Sequence, residues 1–106
     1  MLQISPVLIN LELNRATSQE TAVSKVTLSE KGKLHARVAT EIVKCVASFL
    51  DTDVYIAKGD YEVPAISIMR LMSLAAGRES ILNVRAVGPH CNEAVHAVVA
   101  ILRSCE

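Results

Sequence analysis

The chain reads as an α+β open-faced sandwich, a single sheet with all its helices on one face. Three observations predict this. Short runs that alternate between apolar and polar residues mark strands, and apolar residues spaced by three and four mark helices. The runs follow one another as strand, helix, strand, strand, helix, strand, helix, without an internal repeat or a low-complexity segment. One sheet covered on one side is the simplest way to bury so few faces. A length of 106 residues suits one domain with a modest core.

Ala22 to Leu28 is expected as the first strand, with Val26 and Leu28 on alternate positions. Ser29 to Lys33 is a polar, glycine-bearing loop. From Ala36 to Phe49, the residues Ala39, Ile42, Val43, Val46 and Phe49 fall on one helical face, and Asp51-Thr52-Asp53 closes that helix. Val54–Ala57 and Tyr61–Val63 flank Gly59-Asp60, a two-residue hairpin signal of the glycine-first kind. Tyr55 and Tyr61 are ordinary strand residues here. Pro64 ends the second strand and keeps it near a sheet edge, because proline has no N–H for a ladder.

Ser67 stands as an N-cap ahead of a short helix, Ile68 to Leu74, stopped at Gly77. Ser80 to Val87 alternates again, with Leu82, Val84 and Ala86 on one face and Asn83 and Arg85 on the other. Gly88-Pro89 turns the chain into a last helix, Asn92 to Arg103, with Val95, Val98, Val99 and Leu102 inward. The first 21 residues stand apart as an N-terminal extension, a tail or an optional extra strand, since Leu8 to Leu13 alternates; the domain proper is expected over residues 22–106.

Composition excludes several classes. Eleven basic and eleven acidic side chains cancel, whereas nucleic acid or an anionic membrane surface would favour a basic excess. No apolar run reaches the length of a membrane span, and the start lacks the marks of a secretory signal. Cys45, Cys91 and Cys105 are odd in number and unpaired in spacing, which suits reduced thiols in a cytoplasmic protein. His90, Cys91 and His96 match no common zinc spacing and lack an evident fourth ligand, so neither metal nor cofactor is expected.

The chemistry centres on Leu34-His35-Ala36-Arg37, at the passage from loop to helix. First-turn N–H groups lack intrahelical partners and favour negative charge, so a phosphate is stabilised there. Neutral imidazole is a nucleophile at physiological pH, and Arg37 can set a planar cation beside a phosphoryl group. A capping or half-buried histidine next to a surface arginine fits the tetrapeptide equally well.

With Ser67-Ile68-Met69-Arg70-Leu71-Met72-Ser73-Leu74 at the short helix and the same element order, the chain resembles HPr. That family is the histidine-containing phosphocarrier of the bacterial phosphoenolpyruvate-dependent sugar phosphotransferase system. The likeness covers Ala22 to Glu106 and implies a four-stranded antiparallel sheet with three helices on one face. It implies that His35 accepts the phosphoryl group from enzyme I and passes it to IIA-type sugar-specific domains, with Arg37 stabilising the phosphate. It further implies that HPr kinase/phosphorylase modifies Ser67, and that Ile68, Met69, Leu71 and Met72 dock partners. Read without the resemblance, Met69 and Met72 suit a core as well as a contact surface.

The chain departs from the family's pattern twice. Lys33 stands where the family usually has Gly, and Val38 where it has Pro. Proline presets a first-turn φ that valine does not. If the loop needs a positive φ, Gly32 is placed to supply it. The rival reading is a regulatory HPr-like binding module acting on kinases, transcription factors or nitrogen-type phosphotransferase components. Retention of His35 and Arg37 argues against a version that transfers nothing.

Overall fold

The computed structural model describes residues 20–105; the alternating run Leu8 to Leu13 lies outside them. Four strands and three helices alternate as expected: β1 (Thr21–Thr27), α1 (Ala36–Ala47), β2 (Asp53–Lys58), β3 (Tyr61–Pro64), α2 (Ile68–Met72), β4 (Ile81–Val87) and α3 (Cys91–Ser104). The sheet order is β1-β4-β2-β3, antiparallel throughout. β4 is central, pairing Val87 with Thr21 on one side and with Asp53 on the other. β3 is an outer strand, and Pro64 sits at its end opposite Tyr55, as a residue without an N–H requires.

Alternation sends Val26, Val54, Ile56, Val63, Leu82, Val84 and Ala86 to the helix side. There they meet Val38, Ala39, Ile42 and Val46 of α1, Leu71 of α2, and Val95, Val98, Val99 and Leu102 of α3. Burying each such aliphatic side chain contributes about 1.5–3 kcal/mol before entropy is counted. The other sheet face is open. On it Arg85 donates two hydrogen bonds to Glu62, at 3.0 and 2.9 Å, and its guanidinium lies 4.4 Å from the centre of the Tyr55 ring.

The turns follow local chemistry. Gly59 has φ +63°, a left-handed value, at the first position of the β2–β3 hairpin, as a glycine-first turn demands. Gly88 is needed for space as well as for its φ of +143°: a Cβ there would come within 2.5 Å of the Asp51 carbonyl oxygen.

Several boundaries differ from expectation for identifiable reasons. β1 starts at Thr21 because the Gly88 N–H donates to the Glu20 carbonyl at 2.8 Å and extends the pairing. α1 ends at Ala47, where Ser48 turns its hydroxyl onto the Cys45 carbonyl at 2.6 Å; Phe49 reaches the core from the following tight turn. α2 is shorter than its apolar run. It stops at Met72, and Ala75, with φ 51°, takes the left-handed turn expected near Gly77. Gly77 instead donates its N–H to Ser80 Oγ at 3.0 Å.

Candidate functional site

The loop before His35 is drawn tight by Gly32. A Cβ on Gly32 would lie 2.9 Å from the Ser29 nitrogen and 3.0 Å from Leu28 Cβ, so only glycine lets the chain fold back this closely. Its N–H closes the turn on the Ser29 carbonyl at 2.9 Å. Neither Gly32 nor Lys33 has a left-handed φ. The glycine requirement is therefore steric, and lysine at position 33 is unstrained.

Leu34 anchors the next residue. Its side chain is buried and its N–H donates to the Ala76 carbonyl at 3.0 Å, tying this loop to the segment after α2. His35 follows as the N-cap of α1, half-buried, in extended backbone (φ −100°, ψ −179°). Its carbonyl accepts the first helical bond from Ala39 at 2.9 Å, while its imidazole makes no capping bond. The amides of Ala36, Arg37 and Val38 thus precede the first helical bond, and no acidic side chain occupies this turn. The arrangement favours an anion beside the imidazole. Val38, at the position that resembles a family proline, buries its side chain in the core without displacing the helix start.

Arg37 is exposed on the first turn and pairs with Glu41 one turn on, at 3.7 Å. An open depression lies beside His35, with residues 30–35 on one side and Met72 with residues 75–78 on the other. It brings His35 and Met72 together; Ser67, Ile68 and Met69 do not line it.

Ser67 is the N-cap of α2, its Oγ accepting the Arg70 N–H at 3.3 Å. Met69 is 82% exposed, and Ile68 and Met72 are each 39% exposed. Leu71, expected among the docking residues, is fully buried. With α2 packed against α1 and β3, the one inward position of this short helix belongs to the core, so Leu71 supports the face from beneath. Two bonds from the β2–β3 hairpin also hold the chain after α2: Tyr61 Oη to Ser73 Oγ at 2.9 Å, and Lys58 Nζ to the Ala75 carbonyl at 3.1 Å.

Sequence reasoning passed over Lys31 and Arg78 beside His35, and the exposed Leu50 and Ile66. Lys31 and Arg78 come together through long-range backbone bonds such as Leu34 N–H to the Ala76 carbonyl, which have no local signature. Cys91 and Cys105 are buried, and partial burial pushes the Cys45 thiol above its ordinary value, which disfavours the reactive thiolate. Among the described residues no helix is long and apolar enough to cross a membrane.

Comparison with known proteins agrees with this geometry. Residues 23–104 match the family described as PTS HPr component phosphorylation site. The chain is 33% identical over 76 residues to the phosphocarrier protein HPr of Cupriavidus necator, covering 72% of this chain and 84% of that one. It is 30% identical over 78 residues to the phosphocarrier protein NPr of Shewanella violacea, covering 74% and 85%. The crystal structure of the phosphocarrier protein HPr from Bacillus anthracis superposes with a TM-score of 0.72 at 34% identity, covering 78% of this chain and 98% of that one. The four-stranded open sheet, its three helices and these matches together place the chain in the HPr family of phosphocarrier proteins of the phosphotransferase system.

Proposed function

We propose that the chain accepts a phosphoryl group on His35 from enzyme I and hands it to IIA-type domains in sugar uptake, working in the cytoplasm. The observation that carries this reading is His35 at the entrance of α1, beside first-turn amides and an open depression. A neutral ring nitrogen of His35 attacks the phosphorus held on a donor histidine. A new N–P bond forms as the donor's N–P bond breaks, and the electron pair stays on the donor imidazole. The first-turn amides and Arg37 then offset charge on the phosphate oxygens. A shallow site suits a carrier, because deep stabilisation of the phosphorylated form would raise the barrier to passing the group on.

In this reading Ile68, Met69 and Met72 meet the partners, and Ser67 is a regulatory site for HPr kinase/phosphorylase. The chain from β1 onward is the carrier domain, and the residues before it are an extension. The deciding experiment incubates the protein with enzyme I and phosphoenolpyruvate, then measures mass and acid lability. One acid-labile phosphate that is absent from His35→Ala, with the circular dichroism unchanged, is expected. Full phosphorylation of His35→Ala sinks the assignment.

The likeness to an NPr protein favours a second reading, in which the same relay chemistry serves nitrogen-type phosphotransferase components or a regulatory binding role. Comparing phosphorylation by sugar-type and nitrogen-type enzyme I separates the two.

A further inference from the structure

Three cations and one carboxylate, Lys31, Lys33, Arg78 and Glu30, line the depression beside His35, a local basic excess in a chain whose charges balance overall. All four are exposed. The ion pairs among the described residues, Arg37–Glu41 and Arg85–Glu62, use none of the three cations. Arg37, the cation expected beside the phosphate, is by contrast already paired. The loops carrying the three cations are held together rather than loose: Leu34 bonds the Ala76 carbonyl at 3.0 Å, and the Glu79 N–H donates to the Leu28 carbonyl at 3.1 Å. Met72 and Ala75 give the same depression an apolar part.

We infer that Lys33, with Lys31 and Arg78, forms a cationic rim that seats a carboxylate-bearing partner surface against His35, making Lys33 a specificity-determining residue for partner docking. This rests on the phosphocarrier reading of His35. Charges without a partner on their own protein lose little by pairing across an interface, and a fixed rim steers encounter and register more than it changes chemistry. Lys33 precedes His35 by two residues and Arg37 follows it by two, which divides the work. Arg37 stands at the helix entrance where phosphate charge collects, and Lys33 stands on the rim where the partner arrives.

The test uses the full chain, phosphoenolpyruvate, and an enzyme I that phosphorylates the wild-type protein. Lys33→Glu is compared with Lys33→Arg, Lys33→Gln and a control, Lys25→Glu, at an exposed position of β1. Lys33→Glu should raise KM about ten-fold with kcat nearly unchanged, and added salt should shrink the difference. Lys33→Arg should restore the wild-type KM, Lys33→Gln should fall between, and Lys25→Glu should have no effect. Unchanged KM in Lys33→Glu, or an equal rise in Lys25→Glu, overturns the rim while leaving the carrier reading intact. A wild-type chain that takes no phosphate from any enzyme I overturns the carrier reading and the rim with it. Inorganic phosphate that saturates the amide shifts of Lys33 and Arg78, while KM ignores the charge at position 33, makes this a small-anion site and also overturns the proposal.

Discussion

Arg37 lies 3.7 Å from the Glu41 carboxylate, one turn further along α1, so its guanidinium is engaged before any phosphate arrives. The two side chains are 67% and 52% exposed, and an ion pair this open contributes at most about 1 kcal/mol. In the proposed function, a phosphate on His35 would carry more charge than one carboxylate and would sit at the helix entrance, so it would compete for Arg37 on favourable terms. Glu41 would then serve as a placeholder partner.

Removing that placeholder should speed transfer. Glu41→Gln is expected to accept phosphate a few-fold faster, with stability changed by no more than about 0.5 kcal/mol. Rapid-quench measurement of phosphohistidine formation checks the rate, and thermal unfolding checks the stability. Slower transfer in Glu41→Gln would mean that Glu41 orients Arg37 productively and does not compete for it.

Leu71 and Met69 are near neighbours on α2 with opposite surroundings: Leu71 is fully buried and Met69 is 82% exposed. Leu71→Ala should cost about 2–5 kcal/mol, because it removes packed methyl groups and leaves a cavity. Met69→Ala should leave unfolding nearly unchanged and raise KM for the phosphoryl donor, since an exposed apolar side chain serves contact and not core. Urea unfolding alongside steady-state kinetics separates the two. A stability loss in Met69→Ala as large as that in Leu71→Ala would contradict the division.

The Glu62–Arg85 pair on the open sheet face predicts a pH dependence far from His35. Hydrogen bonds from Arg85, and secondarily its charge, hold the Glu62 carboxyl below the ordinary glutamate value of 4.5. A carboxyl depressed in the folded state stabilises above its unfolded value, and that contribution disappears as pH falls through the folded one. Wild type should exceed Glu62→Gln in stability near neutral pH, and the gap should close in acid, below the ordinary glutamate value. Denaturant unfolding across that range measures it. A gap that is constant with pH would show that Glu62 contributes through packing, without regard to its charge.

Features set by local chemistry were legible in the sequence. Gly59 at the hairpin, Pro64 on an outer strand and Ser67 as a cap each depend on one or two adjacent residues. The strand alternation around Leu82, Val84 and Ala86 and the helix face of Ile42 and Val46 were legible because periodicity reports burial directly. The burial of Leu71 was not legible, because a five-residue helix has too few turns for periodicity to separate its inner from its outer side. Ala75, not Gly77, takes the left-handed turn because Lys58 and Tyr61 on the neighbouring hairpin hold that segment. The i,i+4 spacing of Arg37 and Glu41 was present in the sequence as a pairing signal; the cation cluster around His35 was not, since long-range backbone bonds assemble it.

Ser67 carries the remaining prediction, because the hydroxyl that caps α2 is also the regulatory site in the proposed function. Its Oγ accepts the Arg70 N–H at 3.3 Å and caps α2, so Ser67→Ala should destabilise by about 1 kcal/mol. Ser67→Asp keeps an acceptor at the cap and adds charge that a helix start tolerates, so its stability should stay near wild type. Its effect should appear in docking. Ile68 and Met69 follow Ser67 directly and are exposed, so a negative charge there faces any partner seated on them. Like charge across an interface is costly, and Ser67→Asp should slow phosphorylation of His35 while Ser67→Ala leaves the rate alone. The two variants dissociate the roles: alanine changes stability without changing rate, and aspartate does the reverse. If both accept phosphate at the wild-type rate, Ser67 is a helix cap and partner docking does not sense its charge.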